Sequence, residues 1–118
     1  MERLAQFVQK EKLASGMISG IGAFMNSQIG FYDLKEKKYL RHIVEEECEL
    51  VSLTGNISWF EDKPIVHCHV SLGTPDFKLL GGHLFEAEVA VTCEVWILPS
   101  ETKAVRKFSE CVGLNLLS

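Results

Sequence analysis

The sequence of 118 residues has room for a single domain with one hydrophobic core. Its 47% hydrophobic and 24% charged residues exclude a disordered chain. A formal charge of −4 lacks the basic footprint of a nucleic-acid binder, no apolar run reaches the ~20 residues of a membrane span, and the N-terminus is not built like a signal peptide, so the cytoplasm is the expected compartment.

Residues 2–14 place Leu4, Phe7 and Val8 at helical spacing among polar residues, which predicts an amphipathic helix ending near Ser15-Gly16. From Met17 to Phe24 the glycine-punctuated pattern predicts a strand with close backbone approaches. Its Gly20-x-Gly22 opens no helix and lacks a third glycine, so a dinucleotide loop is not indicated. Residues 28–34 and 38–44 predict a hairpin around Asp33 to Lys37, whose Lys35, Lys37, Lys38 and Arg41 form a solvated basic turn. Leu50 to Phe60 predicts a longer strand, broken at Asp62-Lys63-Pro64.

The next strand, Ile65 to Leu72, has two faces. Val66, Cys68, Val70 and Leu72 make the apolar one, while Ile65, His67, His69 and Ser71 lie on the other. Gly73 to Asp76 is a predicted turn, Gly81-Gly82 a second break, and Val89 to Leu98 a strongly apolar strand. Residues 101–110 read as a short helix or loop, and Val112 to Leu117 as a terminal strand. Together these predict one α+β domain, a mostly antiparallel sheet with one or two flanking helices.

Cys48, Cys68, Cys93 and Cys111 contain no Cys-x-x-Cys pair and read as reduced, mostly buried small hydrophobes. Strand residues two apart share a face, so His67-x-His69 sets two imidazoles side by side, the arrangement that chelates a transition metal. His83, after the glycine pair, supplies a third nitrogen, and three neutral imidazoles suit zinc, nickel, copper or iron with one position open to water or a small ligand. Ordinary surface histidines on an exposed sheet are the competing reading. His42 reads as a surface residue. Glu86 and Glu88 are weak candidates for orienting a ligand or acting as a general base. A Ser71 and Asp76 hydrolase pairing lacks a nucleophile elbow and an oxyanion hole.

Five segments carry a resemblance: Ile18-Ser19-Gly20-Ile21-Gly22-Ala23, Gly30-Phe31-Tyr32-Asp33, Leu50 to Ile57, His67-Cys68-His69-Val70-Ser71-Leu72-Gly73, and Gly81-Gly82-His83-Leu84. In order and spread they resemble the plant-and-prokaryote-conserved (PPC) domain, of the prokaryotic type with His-x-His and Gly-Gly-His elements. The resemblance implies an antiparallel sheet flanked by helices, a homotrimer, and a histidine-bound divalent metal, zinc first, at His67, His69 and His83. The family's usual first strand, ahead of the helix, has no counterpart in residues 1–118. Plant members are described as DNA-binding and often carry an Arg-Gly-Arg segment. None occurs here, and Glu46, Glu47 and Glu49 stand where the plant motif has glycine and arginine, so direct DNA binding by this chain alone is not expected. A metal-binding regulatory module, associated with DNA through partners, is the first expectation, and a metal-dependent enzyme using the open position is the alternative.

Overall fold

A computed structural model describes residues 1–118: helix α1 (Glu2–Lys10) and strands β1 (Ser15–Asp33), β2 (Lys38–Val44), β3 (Cys48–Phe60), β4 (Lys63–Gly73), β5 (Leu79–Ser100), β6 (Arg106–Ser109) and β7 (Leu114–Leu117). Every strand pairing between these elements is antiparallel. The main sheet runs β2-β1-β3-β4-β5 and closes on itself, because the long β5 pairs with β4 through Leu79 to His83 and with β1 through His83 to Ser100. β6 and β7 form a separate hairpin.

The helix is shorter than its periodicity predicts. Lys12 takes the left-handed φ of 54° and the Leu13 amide donates back to the Val8 carbonyl, reversing the chain into β1. Nine residues are too few for a stable isolated helix, so tertiary contact holds it. Val8 is fully buried in the core, and a buried side chain of that kind contributes about 1.5–3 kcal/mol. Leu4 is half-buried and Phe7 exposed, and both border an apolar groove with Val95 and Ile97.

The alternation in β4 holds as expected. Cys68, Val70 and Leu72 are buried with Ile18, Leu50, Leu53, Ile57 and Leu84, and Val66 packs against that core from its rim. Three expectations are corrected. The break before β4 is a two-residue turn at Glu61 and Asp62, both at positive φ, and Pro64 lies inside the strand opposite Trp59. Gly81-Gly82 is not a turn: both residues lie within β5, opposite Ser71 and Val70. Their missing side chains serve close packing, since a Cβ on Gly82 would sit 2.6 Å from the Gly30 carbonyl oxygen, and one on Gly81 2.7 Å from that of Val70. Finally, residues 101–110 form no helix. The Trp59 amide donates to the Ala104 carbonyl (2.9 Å) and Arg106–Ser109 pairs with β7, so tertiary pairing overrides a sequence that tolerates helix.

Gly55 lets β3 and β4 close directly beneath the histidine strand. A Cβ there would meet the His67 carbonyl oxygen at 2.2 Å and the Cys68 sulfur at 2.6 Å. Gly55→Ala is therefore expected to lower stability by about 1–3 kcal/mol, the usual cost of overpacking a close-packed site. Urea unfolding is the check, and an unchanged midpoint would contradict this packing.

Candidate metal centre

Three strand positions converge on one face of the sheet. His67 and His69 stand two apart on β4, and His69 is the direct cross-strand partner of His83 on β5. One ring nitrogen from each lies within 4.8 Å of the other two. The ring centroids are 4.9 Å apart for His67 and His83, 5.1 Å for His67 and His69, and 5.6 Å for His69 and His83. His67 and His83 are half-buried, while His69 is exposed.

A wall of aromatic rings holds His83. Tyr39 lies 5.0 Å and Phe85 4.7 Å from it, centroid to centroid, and the Arg41 guanidinium caps Phe85 at 3.8 Å. Gly30 makes room beneath, since a Cβ there would meet the Phe85 ring at 2.6 Å. On the other side, Arg106 reaches in from β6. Its Nη2 donates to Asn56 Oδ1 (3.0 Å) and lies 3.2 Å from His67 Nδ1, its Nε donates to Ser58 Oγ (2.7 Å), and its Nη1 to the Asn115 carbonyl (2.9 Å). A guanidinium has no acceptor, so His67 Nδ1 accepts this hydrogen bond with its lone pair.

Burial pushes the His83 pKa down to about 4, with His67, His69, Arg106 and Arg41 adding to the effect, and burial followed by Arg106 and His69 lowers His67 as well. Both rings are thus neutral at pH 7, the form that ligates metal. The buried Nδ1 of His83 has no hydrogen-bond partner, an orphaned lone pair or N–H that would cost about 1–3 kcal/mol if nothing met it. A metal-bonded nitrogen or its hydrogen-bonded counterpart resolves such an orphan. Three imidazoles gathered in this way are a donor set that fits zinc and its first-row neighbours.

The structure does not bring the weaker candidates to this cluster. β5 shifts its register against β1 between Leu84 and Glu86 and again between Glu86 and Glu88, and neither carboxylate joins the three-histidine cluster. Both are exposed, and Glu88 accepts a hydrogen bond from Asn26. His42 is exposed on β2, and Asp76 is held in its own turn by Thr74 and by Lys78 at 2.6 Å. All four cysteines are free, Cys48 and Cys68 buried as expected and Cys111 exposed. The sequence reading missed Arg106, Asn56, Tyr39 and Phe85. Asn56 is the cross-strand partner of His67, a placement legible only once the β3–β4 register is known.

An antiparallel β domain here gathers three imidazoles between an aromatic wall and one guanidinium, a donor set whose chemistry suits a transition metal. The profile of the Plants and Prokaryotes Conserved (PCC) domain matches residues 1–101, and the chain belongs to that family, the PPC domain of the resemblance above. Solved structures agree. A plant- and prokaryote-conserved protein of Pyrococcus horikoshii is 36% identical with a TM-score of 0.92, over 99% of this chain and 81% of its own. A metal-containing protein of Archaeoglobus fulgidus is 40% identical with a TM-score of 0.92, over 99% and 83%. A Bacteroides thetaiotaomicron protein whose name proposes DNA binding is 30% identical with a TM-score of 0.95, over 99% and 82%. None of the curated proteins matches the chain. No helix is long and apolar enough to cross a membrane.

The lowered pKa of His83 has a consequence for the metal-free protein. Between about 4 and the ordinary histidine value of about 6.5, the unfolded chain takes up a proton at this position that the folded chain refuses. The stability it contributes is complete above pH 6.5 and is lost as pH falls toward 4. Chelator-treated protein should therefore melt at progressively lower temperature from pH 7 to 4.5, and His83→Phe should flatten that dependence. Parallel pH profiles for the two proteins would contradict the assignment.

Proposed function

We propose that this chain is a homotrimeric PPC-domain module that binds one divalent transition metal, zinc first, through His67, His69 and His83, and serves a binding or regulatory role. The observation that carries the reading is the convergence of three ring nitrogens within 4.8 Å on a face where His83 Nδ1 is buried without a partner. The 40% identical metal-containing protein of Archaeoglobus fulgidus supports it. When bound, the metal supplies Lewis acidity and one open position for water or a small ligand. The chain's own residues hold it: β4 aims two rings, β5 the third, and Tyr39 and Phe85 fix the orientation of His83.

A binding role is favoured over an enzyme because the histidine cluster includes no carboxylate to act as general base on activated water. Direct DNA binding by this chain alone is not part of the proposal, since a charge of −4 offers little counterion release on a phosphate backbone. Association with DNA would run through partners.

The trimer rests on the resemblance and on an apolar face of the β1–β5 ribbon. Cross-strand partners share a face, and the pairs Met17–Leu98 and Ser19–Trp96 put Met17, Trp96 and Leu98 on one side at 63%, 76% and 71% exposure. Apolar residues this exposed and this close mark a surface that a second copy covers.

Protein purified without chelator or a nickel column should contain one metal per chain by elemental analysis. His69→Ala should lower metal affinity by more than the ~10–100-fold that outer-shell partners typically carry, while the apolar face of Cys68, Val70 and Leu72 keeps the fold. Metal content near zero that zinc dialysis cannot restore would sink the assignment. Light scattering at micromolar concentration should return three times the mass of the 13.3 kDa chain, and a monomer mass would remove the trimer.

A further inference from the structure

Arg106 occupies the same lone pair that metal binding needs. It arrives from the β6–β7 hairpin, outside the main sheet, and its fork is locked on three sides by Ser58 Oγ, Asn56 Oδ1 and the Asn115 carbonyl, so that Nη2 points an N–H at His67 Nδ1. Either mode of ligation by His67 ends that contact. If the metal takes Nδ1, the lone pair is used. If it takes Nε2, the neutral ring carries its hydrogen on Nδ1, and two donors then face each other at a contact now 3.2 Å long. Ligating histidines ordinarily present their second N–H to an acceptor such as a carboxylate or a carbonyl, and here a donor stands in that place.

We propose that Arg106 and the metal compete for His67, making the guanidinium an internal substitute that satisfies the site when no metal is bound and that must turn aside when it loads. The inference rests on the three-histidine reading above. It also gives the C-terminal hairpin a role in the site. The hairpin is fastened elsewhere by the Trp59 amide on Ala104, by the Tyr32 hydroxyl on the Val112 carbonyl (2.7 Å) and by Lys37 Nζ on the Glu110 carbonyl (2.7 Å). Losing the Arg106 contact therefore loosens β6 at one point and leaves the hairpin attached. Arg106 is a positioning residue here: it sets how readily His67 is given up to the metal and does not itself ligate.

The test is zinc titration of the chelator-treated full chain by calorimetry, comparing wild type with Arg106→Met in a wild-type and in a His67→Ala background. Competition predicts that Arg106→Met binds zinc roughly tenfold or more tightly, the worth of one hydrogen bond between a charged and a neutral partner, and that the gain disappears when His67 is absent. An affinity for Arg106→Met equal to or weaker than wild type overturns the proposal while leaving the metal site standing. A gain that persists without His67 also overturns it, because the cause is then the lost positive charge alone. No zinc uptake by wild type or variant removes both this inference and the metal reading. Should Arg106→Met fail to fold, hydrogen exchange on the wild type decides: zinc should speed amide exchange within Arg106–Ser109, and slowed or unchanged exchange there overturns the proposal.

Discussion

One rung of the sheet, His69 opposite His83, organises the molecule. β5 can reach β4 and β1 together only because it crosses from one to the other at this point, where His83 is also the partner of Gly30 on β1. The crossing demands close approach, and Gly81, Gly82 and Gly30 remove the side chains that would prevent it. The sheet closes, the core of Ile18, Leu53, Leu72 and Leu84 fills its inner face, and the outer face receives three imidazoles and the Tyr39 and Phe85 rings. The site is thus a by-product of the closure that stabilises the fold. That coupling explains why glycines, which weaken ordinary strands, recur where these strands meet.

The electrostatics of the face follow from the same crowding. Each ring lies beside two other imidazoles, Arg106 contacts His67 and acts electrostatically on His83, and the cluster includes no carboxylate. Charging His83 would bring a cation into a half-buried, already positive neighbourhood, so the ring stays neutral. The neutral rings of His67 and His83, which resist protonation, are poor acid–base groups near pH 7 and good ligands for a borderline cation. Geometry and charge point the same way.

Much of this was legible in the sequence, and the parts that were not share a physical cause. Strict alternation in β4 announced His67 and His69 on one face and Cys68, Val70 and Leu72 on the other, and the structure keeps both sets. His83 was found for an incorrect reason. Gly81-Gly82 looks like a turn locally and is a crossing point of strands globally, a distinction that only non-local pairing decides. Glu86 and Glu88 are candidates only through their closeness to His83 in sequence, and the register shifts of β5 beside them are as invisible locally as the crossing itself. Arg106 was invisible. Its segment tolerates helix, and it becomes part of the site through pairing with Leu117 and contacts to Ser58 and Asn56, which are 48 and 50 residues away along the chain. Phe7 showed the opposite failure: its helical spacing is sound, yet the helix stops at Lys10 and leaves the ring 46% exposed.

Everything proposed for this face depends on the three imidazoles sharing one metal ion. X-ray absorption at the zinc edge of the zinc-loaded chain tests it most directly, because scattering from imidazole rings reports ligand type, number and distance at once. Three imidazole nitrogens at about 2.0–2.1 Å with one further light atom, falling to two imidazoles in the His83→Phe protein, is the predicted result. A sulfur shell near 2.3 Å, or a spectrum unaffected by the loss of His83, would contradict it.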